Sequence, residues 1–111
     1  MSVLEVLAIR LTGKVDYQVL DVLCAELEME PEGRLDDDYD ESFGTRWLRP
    51  VSDGFAWLSL YRDTKRKWQV AVAAEPHLLT ADEVSELARQ VFVVAAKVNL
   101  RAKETYRRQL E

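Results

Sequence analysis

The chain has 111 residues, 48% of them apolar and 32% charged, with a formal net charge of -5. That length suits one domain with one core, and the composition excludes both a mostly disordered chain and a membrane-embedded one. No apolar run approaches the roughly 18 residues of a membrane span, and the first residues lack the cationic flank of a signal peptide, so a cytoplasmic protein is expected.

The stretch from Ser2 to Leu11 is apolar apart from Glu5 and Arg10, which leaves helix and strand open. Capping-box spacing of Ser2 and Glu5, with Gly13 beyond, favours a helix, and a strand is the alternative. From Asp16 the spacing of Leu20, Leu23, Cys24 and Leu27 predicts a second helix that ends before Pro31 and Gly33. Residues 28 to 43 are dominated by carboxylates, with Arg34 the one cation, and read as a solvated, mobile loop.

The period then changes to two. Residues 46 to 51, 55 to 61 and 67 to 74 predict a three-stranded antiparallel meander, with Asp53-Gly54 as a two-residue type I′ turn and Thr64-Lys65 as the second turn. In that register Phe55, Trp57, Tyr61, Trp68, Val70 and Val72 face the core. Trp47, Arg49, Leu58, Arg62, Lys67 and Gln69 face the other way. After Pro76 a capping box at Thr80 and Glu83 opens a helix whose stripe of Val84, Leu87, Ala88, Val91, Ala95, Val98 and Ala102 predicts helix to about Arg108. The expected fold is therefore α+β in the order α-α-β-β-β-α, with the long last helix packed on one face of the sheet.

Charge divides the chain sharply: residues 1 to 43 carry net -9, residues 44 to 74 net +4, and residues 75 to 111 net 0. Cations interleaved with aromatics in the middle third fit a nucleic-acid surface, because cations neutralise phosphates and flat rings stack on bases. Trp47, Arg49, Arg62 and Lys67 are the candidate binding face, although rings in a small domain more often serve packing. Asp36, Asp37, Asp38, Asp40 and Glu41 are a candidate acidic contact. Asp36, Asp38 and Asp40 imitate the start of a calcium loop, but Glu41 and Trp47 stand where that loop needs glycine and glutamate, so no metal is expected. A charge mimic of nucleic acid directed at a host protein is another reading of the acidic third. The middle of the last helix is apolar all round, which makes Phe92, Val93, Val94 and Ala96 a candidate interface with a protein partner or a second copy.

The order helix, three strands, helix from 16 to 96 resembles the double-stranded-RNA-binding fold. The Ser52-Asp53-Gly54 turn, Tyr61-Arg62, Lys65-Arg66-Lys67 and the closing helix are similar to the arm-type DNA-binding domains of phage integrases. Both resemblances imply nucleic-acid binding. Where the RNA-binding family carries lysines at the start of the last helix, however, this chain has Thr80-Ala81-Asp82-Glu83, which argues against that mode.

Cys24 and His77 are the sole cysteine and histidine, so neither an internal disulfide nor a Cys/His zinc cage can form from one copy. Glycines stand singly at 13, 33, 44 and 54, and no phosphate loop is present. No cofactor and no catalysis are expected. The leading expectation is a non-enzymatic protein-interaction module that associates with a protein partner or with itself as a dimer. Nucleic-acid binding is the alternative, and the arginine-rich composition is compatible with a high-GC bacterial or phage genome.

Overall fold

The computed structural model describes residues 3–31 and 41–110. Its elements are β1 (Leu4–Thr12), α1 (Tyr17–Glu26), β2 (Glu30–Pro31), β3 (Glu41–Trp47), β4 (Ala56–Arg62), β5 (Trp68–Ala74), α2 (Ala81–Lys97) and β6 (Arg101–Arg107), with 3-10 turns at Val51–Asp53 and Pro76–Leu78. All pairings are antiparallel, and the strands lie in the order β2-β3-β4-β5-β1-β6. The α+β class holds, but the sheet has six strands with two helices. The expected three-stranded meander with N-terminal helices is thereby corrected, and with it the likeness to the helix, three strands, helix order.

Four placements account for the correction. The first segment is strand β1, set between β5 and β6, and Val6, Leu7, Ala8 and Ile9 are all buried. A bulge between Glu5 and Leu7 buries the consecutive Val6 and Leu7, and the small Ala8 is 5% exposed on the opposite face, so the run shows no period of two. The last helix stops at Lys97 because Asn99 takes φ +59°. Its N–H bonds the Ala96 carbonyl and that of Leu100 bonds the Ala95 carbonyl. This is a Schellman ending, and it turns the remaining residues back as β6. Helix α1 ends the same way, with Glu28 at φ +55° and the Met29 N–H on the Cys24 carbonyl. Residues 28 to 31 and 41 to 43 of the expected acidic loop thus belong to this cap, β2 and β3; Asp36, Asp37, Asp38 and Asp40 lie outside the described residues.

The β3–β4 connection is no two-residue turn: the last strand pair is Trp47 with Trp57, and the chain between them includes the Val51–Asp53 turn. Between β4 and β5 the loop closes on Asp63. The Asp63 N–H bonds the Lys67 carbonyl at 2.9 Å, and Oδ1 accepts from the N–H groups of Lys65 and Lys67 at 2.9 Å each. Arg66 sits at φ +61°, the left-handed residue that completes a three-residue hairpin loop. That loop is one residue longer than Thr64-Lys65 alone, so Arg62 rather than Tyr61 stands opposite Trp68. A slip of one residue moves every side chain of β4 to the other face. Leu58 and Leu60 are therefore fully buried, while Trp57 and Tyr61 look outward from the core.

One hydrophobic cluster joins Leu7, Ile9 and Leu11 of β1, Leu58 and Leu60 of β4, and Val70 and Val72 of β5 to both helices. Leu20, Leu23 and Cys24 come from α1, and Val84, Leu87, Val91, Val94 and Ala95 from α2. Both helices thus cover the same side of the sheet. Among the described residues the other side carries no helix.

Candidate functional site: the helix-free face of the sheet

Strand register arranges the uncovered face in three rows that run across the strands. The middle row is Tyr106, Ala8, Ala71, Ser59 and Thr45. On one side lie Lys103, Arg10, Gln69, Tyr61 and Ser42, and on the other Glu5, Ala73, Trp57 and Trp47. From Ala8 to Thr45 the side chains of the middle row are small and make a shallow trough, with Tyr106 at its β6 end. From β1 to β3 it crosses four strands, about 15 Å at roughly 4.8 Å per strand step.

The aromatic wall is built by packing among its own members. Trp47 and Trp57 meet edge-on with centroids 5.5 Å apart, and Phe55 lies 6.2 Å from Trp57 and 6.3 Å from Trp47. These are favourable edge and tilted contacts, yet Trp47 remains 49% and Phe55 46% exposed. Phe55 is held from beneath: its N–H donates to Oε2 of the buried Glu75 at 2.9 Å, and its carbonyl accepts from the Glu75 N–H at 2.9 Å. Gly54 takes φ +125°, a conformation open to glycine, and so brings Phe55 over the carboxylate.

The opposite wall is cationic. Register puts Arg10, Arg101 and Lys103 on this face against one described carboxylate in the rows, Glu5. Gln69 is 8% exposed and donates through Nε2 to Asp63 Oδ2 at 3.2 Å, while its Oε1 is buried with no hydrogen-bond partner. Slight burial pushes the Asp63 carboxyl upward, but the Lys67 N–H, Gln69, the Lys65 N–H and the charge of Arg10 together hold it below the ordinary range.

The four residues expected to share a binding face do not. Trp47 is on the trough. Arg49 lies beyond the end of β3 on the helix side, paired with Glu83 and donating to the Leu48 carbonyl at 2.7 Å. Hydrogen bonding from Arg49, with the Thr80 N–H next, holds the Glu83 carboxyl below its usual range. Arg62 lies on the core side of β4, 5.9 Å from the centroid of Trp68, and Lys67 is exposed in the hairpin loop. Glu41 opens β3 opposite Arg62. In α2, Phe92, Val93 and Ala96 are exposed, but Val94 is 5% exposed and belongs to the core, which removes it from the candidate interface. Gln69 lies on the face away from the core, while Arg10, Arg101, Lys103 and Tyr106 join the trough from β1 and β6, outside the expected meander. Their signal in the sequence is Arg10 as the lone cation of an apolar run and the alternation after Asn99.

Two further features bear on chemistry. A pocket of about 370 Å³ on the helix side is lined by Leu48, Leu79 and Leu87 beneath Arg46, Arg49 and Glu83. The thiol of Cys24 is pushed up to about 11, by burial first and by Asp21 second. Among the described residues no group of three His, Cys, Asp or Glu side chains is placed to hold a metal ion, and no helix is long and apolar enough to cross a membrane. Comparison with family models, with curated proteins and with solved structures gives no match.

Proposed function

We propose that this chain is a non-catalytic, cytoplasmic protein-binding module whose contact surface is the trough on the helix-free face. The carrying observation is the wall of exposed Trp47 and Phe55 with half-buried Trp57, facing Arg10 and Lys103 across a floor of small residues. Rings of this kind are the usual anchors of interfaces, because they bury much area while losing little conformational freedom. Charge selects the partner: a face carrying Arg10, Arg101 and Lys103 on a chain of net charge -5 suits a segment with apolar side chains on one edge and carboxylates on the other. Such a segment could come from another protein or from a second copy.

A non-catalytic role is supported by the state of the two groups best suited to chemistry. Cys24 is buried and its thiol is held protonated at neutral pH, which opposes nucleophilic use. His77 is exposed on the Pro76–Leu78 turn, and among the described residues no acid or hydroxyl is hydrogen-bonded to it. The test is binding of a purified partner, measured for the wild type and for Trp47→Ala with Phe55→Ala. A loss of at least tenfold at unchanged fold supports the reading, and equal affinity overturns it.

Nucleic-acid binding is a second reading, favoured by the position of Arg10, Arg101 and Lys103 beside the rings. Three cations displacing counterions from a single strand would give a log-log salt slope of about -2. No binding, or binding without that slope, removes this alternative.

A further inference from the structure

We propose that the cleft between the tail after β6 and the turn before α2 binds a small, partly apolar molecule through its carboxylate or phosphate group, with Arg108 as the clamp. This site is separate from the trough. It is a cavity of about 560 Å³ lined by Pro76, His77, Arg108, Gln109 and Leu110. A second cavity of about 210 Å³, also lined by Arg108, reaches Ala81 and Val84 at the start of α2. Volumes of this order suit a metabolite-sized ligand.

Arg108 is fixed in position and its charge is uncommitted. Its N–H bonds the Val6 carbonyl at 2.8 Å, which continues the sheet one residue past β6, and Leu110 packs against the core beyond it. Its Nε is buried without a hydrogen-bond partner, and among the described residues no carboxylate pairs with its guanidinium. The neighbouring Arg107 differs, since it is engaged by Glu104 and by Ser85 at 2.7 Å. Arg108 lines both cavities, and an arginine presents pairs of N–H groups that match two oxygens of a carboxylate or phosphate.

The surroundings favour an anion. Among the described residues no acid lines either cavity. The nearby carboxylate of Glu75 is turned to the Phe55 N–H, and those of Asp82 and Glu83 line the pocket on the other side of α2. His77 and Gln109 supply hydrogen-bonding groups, and Pro76 and Leu110 supply an apolar wall for the remainder of the ligand.

The experiment is a titration of the full chain with phenyl phosphate and with benzoate at 150 mM salt, with benzyl alcohol as the uncharged control. It is read by the arginine Nε–H resonances and by calorimetry. Saturable movement of the Arg108 Nε–H signal is expected with at least one anion, and the tighter of the two separates a phosphate ester from a carboxylate as the natural group. Arg108→Gln should weaken binding at least tenfold, and Arg108→Lys, which keeps the charge but not the fork, nearly as much. Arg89→Gln, remote on α2, should not weaken it. A stationary Arg108 signal, equal binding by Arg108→Lys, or equal binding of benzyl alcohol would overturn the proposal.

Discussion

Replacing Gly54 by alanine tests how the aromatic wall is held. Residue 54 has φ +125° and ψ -175°, a region almost confined to glycine, and placing an L-residue there costs about 1–3 kcal/mol. The added Cβ would stand 2.3 Å from Glu75 Oε2 and 2.9 Å from Leu78 Cδ1. The carboxylate must therefore move off the Phe55 N–H, and a part-buried donor and acceptor left unpaired cost about another 1–3 kcal/mol. Taken together the loss is about 2–6 kcal/mol. At roughly 2.1 cal/mol/K of unfolding entropy per residue this lowers Tm by about 9–26 °C, checked by thermal and urea melts followed by circular dichroism. Phe55 should lose its position too, so partner affinity should fall more steeply than stability alone requires. A variant within about 0.5 kcal/mol of the wild type would refute the argument, since neither the backbone nor the carboxylate would then be constrained as described.

Other predictions test the register, the end of α2 and the hairpin loop. Leu58→Ala should cost about 2–5 kcal/mol in urea unfolding and Ser59→Ala less than about 0.5, because the first opens a cavity in the core and the second lies on the trough floor; the reverse order would restore the discarded register. Asn99→Ala should destabilise by about 1–2 kcal/mol, as alanine is disfavoured at φ +59°; stabilisation would mean that helix continues towards Arg108. Asp63→Ala should cost about 1 kcal/mol near neutral pH by removing the acceptor for Lys65 and Lys67. The folded carboxyl lies below its ordinary value of 3.8, so its contribution is complete above that value and is lost as pH falls through the lower one. The stability gap between wild type and variant should therefore close in acid, and a gap constant from pH 7 to pH 2 would contradict it.

The parts of this fold legible in the sequence are those whose signal is local. Asp16 caps α1 through the Val19 N–H at 2.9 Å, and the Thr80–Glu83 capping box opens α2, both where the residue pattern places them. Strands β4 and β5 follow from their aromatic and β-branched runs, whereas β3 (Glu41–Trp47) shares only Arg46 and Trp47 with the run expected over 46 to 51. What was not legible depends on the rest of the molecule. Strand β1 is central only because β6 returns to its far side, and β6 exists only because Asn99 accepts a left-handed backbone that glycine usually supplies. At the trough the residue types were legible and their faces were not. Basic and aromatic side chains crowd residues 46 to 68, but one loop residue, Arg66, decides whether Trp57 and Tyr61 enter the core or border the trough. Arg10 and Lys103 stand opposite each other across strands more than 90 residues apart in the chain, a pairing that no local spacing reports.

The most direct test of the trough as the contact surface is site-specific photo-cross-linking, with the reactive group placed either at Ser59 on the trough floor or at Phe92 on the exposed side of α2. The account predicts a discrete protein adduct from position 59 that disappears with Trp47→Ala, and none from position 92. A discrete adduct from position 92 with none from position 59 would contradict it and move the interface to the helix layer.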